Sequence, residues 1–148
     1  MKIVFNKKAF NKHFDKLHKI ICYRLDPNWY HTLNNHGDKG EYRGFFSHKF
    51  NQMRYYAQDC AEAYVKHHCI FYLYEYVRCM CNFGESKYIG KFMQAPRQDW
   101  NIVNSTIGQI QTLQHIGLSD PIDNITRYDY KDHKKALNEY LKTIKDDV

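Results

Sequence analysis

The fold is decided by a stretch of 37 residues that runs from Ser47 to Phe83 without a Gly or Pro, SHKFNQMRYYAQDCAEAYVKHHCIFYLYEYVRCMCNF. Apolar side chains recur along its first half in steps of three and four, the period of one face of an α-helix. They are Phe46, Phe50, Met53, Ala57, Cys60 and Tyr64. A second set continues from Ala61 to Met80, and only Glu75 and Arg78 are charged between Cys69 and Cys81. The stretch therefore predicts one long, largely buried central helix, with a kink or break near His67–His68, where the apolar face changes register.

Shorter helices are predicted before this stretch. Ile3 to Phe5 reads as a strand-like entry. Asn6 is placed to cap a helix from Lys7 to Leu25, because its side-chain oxygen can accept a bond from an unpaired backbone N–H. Asp26-Pro27 is expected to end that helix, because the residue before a Pro disfavours the α region. Residues 26–46, which hold three glycines and several turn-forming residues, are expected to form an irregular loop.

The rest of the chain predicts two more helices. Ser47 is expected to cap the start of the central helix and Gly84 to end it. Further helices are predicted from Asp99 to about Ile116 and from Asp129 to Lys145, with a turn at Gly117 between them. Because no repeat, low-complexity run or linker interrupts the chain, the sequence predicts an all-α protein. We expect a single compact domain, residues 1–148, of four to five helices around the central one.

Composition narrows the class of protein. A chain of 148 residues is long enough to bury a core, and a mean hydropathy of −0.73 argues against a membrane protein. Lys7 and Lys8 follow the first residues too closely for the apolar part of a secretory signal. Five cysteines without such a signal indicate reduced thiols. We therefore expect a cytoplasmic protein with no membrane partner.

Positive charge is concentrated at the N-terminus. The net charge of the chain is +6, and residues 1–25 account for all of it, since seven basic side chains there stand against Asp15 alone. On a helical wheel Lys8, Lys12, Lys16 and Lys19 lie opposite Phe10, Phe14, Leu17 and Ile21. A row of ammonium groups at about one per turn can follow phosphates and release condensed counterions. These lysines and Arg24 are therefore the candidate binding residues for nucleic acid or for the acidic face of a nucleoprotein complex.

Two groups of residues have the chemistry of metal ligands. The first group is His67, Cys69, Cys79 and Cys81. Residues 79 and 81 lie about 200° apart on a helix and could chelate together only if the helix ended between them, so core thiols are the preferred interpretation. The second group is His31, His36, Asp38, Glu41 and His48. It contains no fixed motif such as His-Glu-x-x-His, and we expect a solvated loop, with no metal or cofactor.

A spacing of four to six residues between an Arg and a following His occurs three times. The pairs are Arg43 with His48, Arg127 with His133, and Arg24 with His31. This spacing resembles the Arg-x4-6-His motif of HEPN ribonucleases, an all-helical family whose motif lies near a helix start and is usually paired across a dimer. The resemblance implies metal-independent RNA cleavage by Arg43/His48 or Arg127/His133. The polar residue usual after the Arg is absent at all three pairs, and we predict no cleavage.

The function predicted from the sequence is binding without catalysis. We expect a small helical protein that engages nucleic acid, or a nucleic-acid-handling complex, through the basic N-terminal helix. The abundant Tyr, Phe, Lys, Asn and Ile residues indicate an A+T-rich gene, which fits a phage or mobile-element inhibitor of a host nucleoprotein machine. Two alternatives remain: the HEPN-like ribonuclease, and a protein-interaction module that forms a homodimer through the apolar half of the long helix.

Overall fold

The computed structural model describes the backbone of residues 2–33, 39–114 and 121–145. Within these ranges it describes the side chains of all residues except 23–33, 39–43, 106–114, 121, 123, 140, 141 and 143–145. Seven α-helices lie in the described residues: α1 (Lys7–Leu33), α2 (Lys39–His67), α3 (Ile70–Asn82), α4 (Ile89–Phe92), α5 (Arg97–Gln114), α6 (Pro121–Thr126) and α7 (Tyr130–Lys145). Two short strands, β1 (Val4–Phe5) and β2 (Met93–Gln94), and a 3₁₀ turn (Ser86–Tyr88) accompany them.

The all-α class is confirmed. The helices outnumber the predicted four to five because the central segment is broken and because α4 and α6 are too short to show a helical period.

The start of the chain is held by a strand pair and a helix cap. β1 pairs antiparallel with β2, and the Asn6 N–H donates to the Phe92 carbonyl at 2.7 Å. The Asn6 side-chain oxygen accepts the Ala9 N–H at 3.0 Å, so the predicted cap of α1 is confirmed. Together these bonds attach the first turn of α1 to the segment that carries α4.

Helices α1 and α2 pack against each other in opposite directions. As the residue number increases along α1, the residue number of its partner in α2 decreases. The pairs are Lys7 with Glu62, Asp15 with Arg54, and His18 with Ser47. Aromatic rings fill the space between these helices and the end of α3, and the rings of Phe14 and Phe83 lie 4.7 Å apart. The apolar face predicted for the first helix is therefore its packing face.

The central segment is broken between α2 and α3, as the change of apolar register predicts. His68 has a φ of 57°, in the left-handed region, and its N–H bonds the Tyr64 carbonyl at 2.8 Å. A left-handed residue other than Gly costs roughly 1–2 kcal/mol. An unbroken helix from Lys39 to Asn82 would be about 66 Å long. The break lets α3 fold back onto α2, and the burial that follows offsets the strain at His68.

Most of α3 is buried inside the chain. Its buried residues are Phe71, Leu73, Tyr74, Glu75, Tyr76, Val77, Cys79 and Met80. The helix ends where the sequence predicts, at Gly84, whose φ of 72° lies in the left-handed region that Gly adopts without strain. The Gly84 and Glu85 N–H groups bond the carbonyls of Cys81 and Met80, each at 2.9 Å, which makes a Schellman motif. Because the apolar half of the long segment is covered within one chain, the homodimer surface expected there is not exposed.

Two predicted boundaries between the first helices are wrong. Helix α1 continues through Pro27 to Leu33 and α2 begins at Lys39, so most of the expected 26–46 loop is helical, and residues 34–38 lie outside the described residues. Pro27 removes one backbone bond at a cost of about 3 kcal/mol, but the helical bonds on both sides of it remain. Ser47 lies inside α2 and does not cap it. Its Oγ instead shares a 3.0 Å hydrogen bond with His18 Nε2.

The C-terminal helices begin close to their predicted residues. Helix α5 starts two residues before Asp99, whose carboxylate accepts a hydrogen bond from the Tyr64 hydroxyl at 2.5 Å. Asp129 caps α7, because its Oδ1 accepts the backbone N–H of the second residue of that helix at 2.9 Å. The turn predicted at Gly117 lies outside the described residues. Within the part of the chain that the structure describes, no helix combines the length and the apolar character of a membrane span.

Candidate nucleic-acid interface

Four lysines form the outer side of α1. Lys8, Lys12, Lys16 and Lys19 are all exposed, whereas Phe10, Phe14 and Ile21 on the opposite side are buried. The exposure predicted from the helical wheel is therefore confirmed. From the first lysine to the last, the set extends about 16 Å along the helix axis. We call Lys8, Lys12, Lys16 and Lys19 the basic face.

Two acidic groups near the basic face are paired with other residues. Asp15, the only acid among residues 1–25, has its Oδ1 2.8 Å from the Arg54 guanidinium. Glu62 of α2 pairs with Lys7 at 2.9 Å. None of the four lysines forms an ion pair with a described residue. Among the described residues, the four lysines are therefore not neutralised by a paired acid, although α1 and α2 both carry acids.

Arg54 is held in place by α1. Only 7% of the residue is exposed, and its guanidinium donates to the Asn11 carbonyl at 3.2 Å and to the Asn11 side-chain oxygen at 3.0 Å. A buried guanidinium needs such partners, because an unpaired buried charge is costly. Asp15 thus has a fixed partner, and its side chain, though 64% exposed, is directed to Arg54.

A second group of cations lies beside α1 and was not predicted from the sequence. The Tyr88 ring stands 4.2 Å from the His13 ring of α1. The ammonium groups of Lys87 and Lys91 lie 5.3 Å and 5.4 Å from the centre of the same Tyr88 ring. In the sequence this group is visible only as two lysines, four residues apart, on either side of a Tyr. That it lies beside α1 follows from the contact between the Tyr88 and His13 rings. We call His13, Lys87, Tyr88 and Lys91 the Tyr88 patch.

His13 fixes the Tyr88 patch to the core. Its Nε2 lies 2.9 Å from Glu85 Oε2, and both side chains are mostly buried. The His13 ring also contacts Phe14 and Phe92, at 5.4 Å and 5.5 Å. Because Glu85 directly follows the left-handed Gly84, the sharp end of α3 is what brings this carboxylate to α1.

The fifth predicted binding residue, Arg24, lies in α1, but its side chain is outside the described residues. The side chains of His31, Arg43 and Glu41 are also outside the described residues. His36 and Asp38 fall in the undescribed segment 34–38. His48 is described and is exposed on α2. The second group of metal-ligand residue types therefore remains untested.

Arg127 and His133, the Arg/His pair in the C-terminal part of the chain, differ in burial. Arg127 is exposed, whereas His133 is half-buried, with one ring nitrogen bonded to the Asp129 carbonyl at 2.8 Å. Burial lowers the pKa of His133, and the charged groups that act on it are Arg78, Glu75 and Asp129.

Of the cysteines in the first group of metal-ligand residue types, Cys79 is buried, and Cys69 and Cys81 are half-buried. Cys60 and Cys79 are buried, and burial raises the pKa of the Cys60 thiol to about 12 and that of Cys79 well above its usual value. Such thiols stay protonated and are poor metal ligands. Among the described residues, no three His, Cys, Asp or Glu side chains are grouped as metal ligands.

A buried polar cluster surrounds Glu75, which is only 1% exposed. Its two carboxylate oxygens accept hydrogen bonds from the Tyr56 hydroxyl at 2.9 Å and from the Arg78 guanidinium at 3.3 Å. The acid thus has a partner for each oxygen, as a buried carboxylate requires. This arrangement connects α2 to α3, and we interpret the cluster as part of the core.

Comparison with protein-family models, curated proteins and solved structures finds no match for this chain. What can be said of its function therefore rests on the geometry of the basic face and of the Tyr88 patch.

Proposed function

We propose that this chain is a non-catalytic binding protein for nucleic acid, or for the acidic face of a nucleic-acid-handling complex. The observation that carries the proposal is the basic face: four exposed lysines on one side of α1, with Asp15 and Glu62 paired to Arg54 and Lys7. A face that is only solvated usually mixes the two signs of charge, whereas Asp15, which is paired with Arg54, is the one acid at the margin of these lysines among residues 1–25. An inhibitor of a nucleoprotein machine, encoded by a phage or mobile element, is the biological setting that we propose.

The Tyr88 patch supports the same function. Lys87 and Lys91 add two exposed cations beside α1, so the positive surface is broader than one helix. Each lysine that neutralises a phosphate releases counterions, which makes binding strongly dependent on salt. A polyanion that crosses from α1 to α4 would meet up to six ammonium groups, and its affinity should fall steeply as the salt concentration rises.

The test is a charge reversal with a matched control. Lys12→Glu with Lys16→Glu changes the basic face, and Lys135→Glu with Lys142→Glu makes the same change in charge on exposed positions of α7. Binding to fluorescent RNA, DNA and any co-purifying protein is measured by anisotropy at several salt concentrations. We expect the first variant to bind weakly, with a salt slope lower by about one unit per lost phosphate contact, and the control to bind nearly as the wild type does.

Two results would contradict the proposal. Unchanged binding of the Lys12/Lys16 variant to every partner would show that the basic face is only solvated. An equal loss in both variants would show a dependence on net charge rather than on this surface. Because exposed substitutions usually change the free energy of unfolding by no more than about 0.5 kcal/mol, the melting temperatures of both variants should stay close to that of the wild type.

A further inference from the structure

An open groove lies beside the Tyr88 patch, between α4, β2 and the start of α5. It has a volume of about 530 Å³ and is lined by Gly90, Met93, Gln94, Ala95, Arg97 and Trp100. Its size falls within the range of small-ligand pockets. We call it the Trp100 groove.

The lining of the Trp100 groove combines an apolar floor with a polar rim. Met93 and Ala95 are 1% and 4% exposed and form the floor. Gln94 and Arg97 are exposed, and Trp100 is half-buried. An indole surface can stack on a flat ring, an amide can bond the edge of a base, and a guanidinium can pair with a phosphate. Asp99, the acid nearest in sequence, is bonded to Tyr64.

The groove adjoins the Tyr88 patch through α4. Gly90 directly precedes Lys91, whose ammonium group lies over the Tyr88 ring, and that ring contacts His13 on α1. Lys87 and Lys91 thus flank the ring that contacts α1, and Arg97 adds a cation at the rim of the groove. A strand that follows the lysines of α1 and crosses the Tyr88 patch would reach the mouth of the groove.

We propose that the Trp100 groove receives an unstacked base of a single-stranded nucleic acid, with Trp100 as the stacking surface. The inference rests on the proposed function, since the basic face supplies most of the affinity, and it makes that function more specific: the ligand is single-stranded. Bases in a duplex are stacked and paired and cannot enter a groove of this kind, whereas the bases of a single strand can be turned out. Arg97 and Lys91 then hold the phosphates on either side of the base.

The test fills the groove without disturbing the fold. A Cβ added at Gly90 would meet no atom within 4 Å, and the same is true at Gly44 on α2. Gly90→Leu therefore blocks the groove, and Gly44→Leu is the matched control. Ligands are a 12-residue single strand of DNA, the RNA of the same sequence, the corresponding duplex, and inorganic polyphosphate as a polyanion without bases.

We expect Gly90→Leu to weaken binding of the single strands about 5- to 150-fold, the range for the loss of one stacked base. Its binding of duplex and polyphosphate should be unchanged, and Gly44→Leu should bind all four ligands as the wild type does. The inference is overturned if Gly90→Leu binds single strands normally, if it loses all four ligands equally, or if only an acidic protein partner is lost. A stronger loss for RNA than for DNA, or the reverse, supports the inference and identifies the preferred sugar.

A second measurement separates the groove from the basic face. The chain has two tryptophans, so Trp29→Phe leaves Trp100 as the only indole emitter. Nucleoside monophosphates should quench its emission in the Gly90 protein and not in Gly90→Leu, even where Lys12→Glu and Lys16→Glu have removed polyanion binding. In the protein that keeps Lys12 and Lys16, quenching without polyanion binding would contradict the proposed function alone. Polyanion binding without quenching, at millimolar nucleotide, would contradict the groove alone.

Discussion

The hydrogen bond between Tyr56 and Glu75 provides a direct test of the buried core. The Tyr56 hydroxyl donates to Glu75 Oε2 at 2.9 Å, and the two residues are 6% and 1% exposed. The other carboxylate oxygen is 3.3 Å from the Arg78 guanidinium. Tyr56→Phe deletes one oxygen and leaves a buried carboxylate oxygen without a donor, while the ring and its 5.4 Å contact with Tyr130 remain.

The expected cost follows from the charge and burial of the acceptor. Hydrogen bonds to charged groups contribute about 1.5–3 kcal/mol, and a buried acceptor left without a partner forfeits its hydration as well. Because Phe keeps the apolar area of Tyr, no cavity cost is added. We therefore expect the free energy of unfolding to fall by about 2 kcal/mol. For a chain of this size that corresponds to a melting temperature lower by about 4–8 °C.

The measurement is urea unfolding followed by circular dichroism, together with a thermal melt. Tyr55→Phe is the control, since Tyr55 is the preceding residue on the same helix and is 54% exposed. Its effect should stay within about 0.5 kcal/mol. If the two substitutions change the free energy of unfolding equally, Glu75 does not depend on the Tyr56 hydroxyl, and our interpretation of the cluster is wrong.

Three further predictions use other parts of the chain. Gly84→Ala forces an Ala into the left-handed region and should cost about 1–2 kcal/mol in urea unfolding, whereas Gly90→Ala should change stability by less than about 0.5 kcal/mol. Burial lowers the pKa values of His18 and His133 from 6.5. Below pH 6.5 the unfolded chain therefore binds more protons than the folded one, and the free energy of unfolding should fall as the pH drops from about 7.5 to 5.5; a flat profile would contradict this. RNA incubated with the protein and EDTA should stay intact, and cleavage abolished by His48→Ala or His133→Ala would instead establish the ribonuclease alternative.

Local features of the fold could be predicted from the sequence because they depend on neighbouring residues. The Asn6 cap needs only a side-chain oxygen next to the unpaired N–H groups of a helix start. The end of α3 needs only a residue that tolerates a positive φ, and Gly84 is one. The exposure of the basic face follows from the helical period of Phe10 and Phe14.

What the sequence did not predict depends on contacts between distant residues. Pro27 was expected to end α1, but the helix continues past it to Leu33. No local sequence pattern shows that a helix can continue when only the hydrogen bond of the Pro27 backbone nitrogen is missing. Lys87 and Lys91 read as loop charges, because their proximity to α1 comes from the contact between Tyr88 and His13, 75 residues apart in the sequence.

The pairing of acids along the contact between α1 and α2 explains how a packed helix can present charge of one sign. An exposed ion pair such as Lys7–Glu62 contributes only about 0–1 kcal/mol to stability, so the main effect of these pairs is on the field outside the helix. With Asp15 directed to Arg54, successive lysines of the basic face lie about 4.5–6 Å apart along the axis. That spacing is shorter than the Debye length of about 8 Å at physiological salt, and the four charges therefore act together.

A single small anion can contact only one or two of these lysines at a time, whereas a polymer of phosphates can contact all four and release a counterion at each. For this reason we expect the ligand of the basic face to be a chain of negative charges rather than an isolated one.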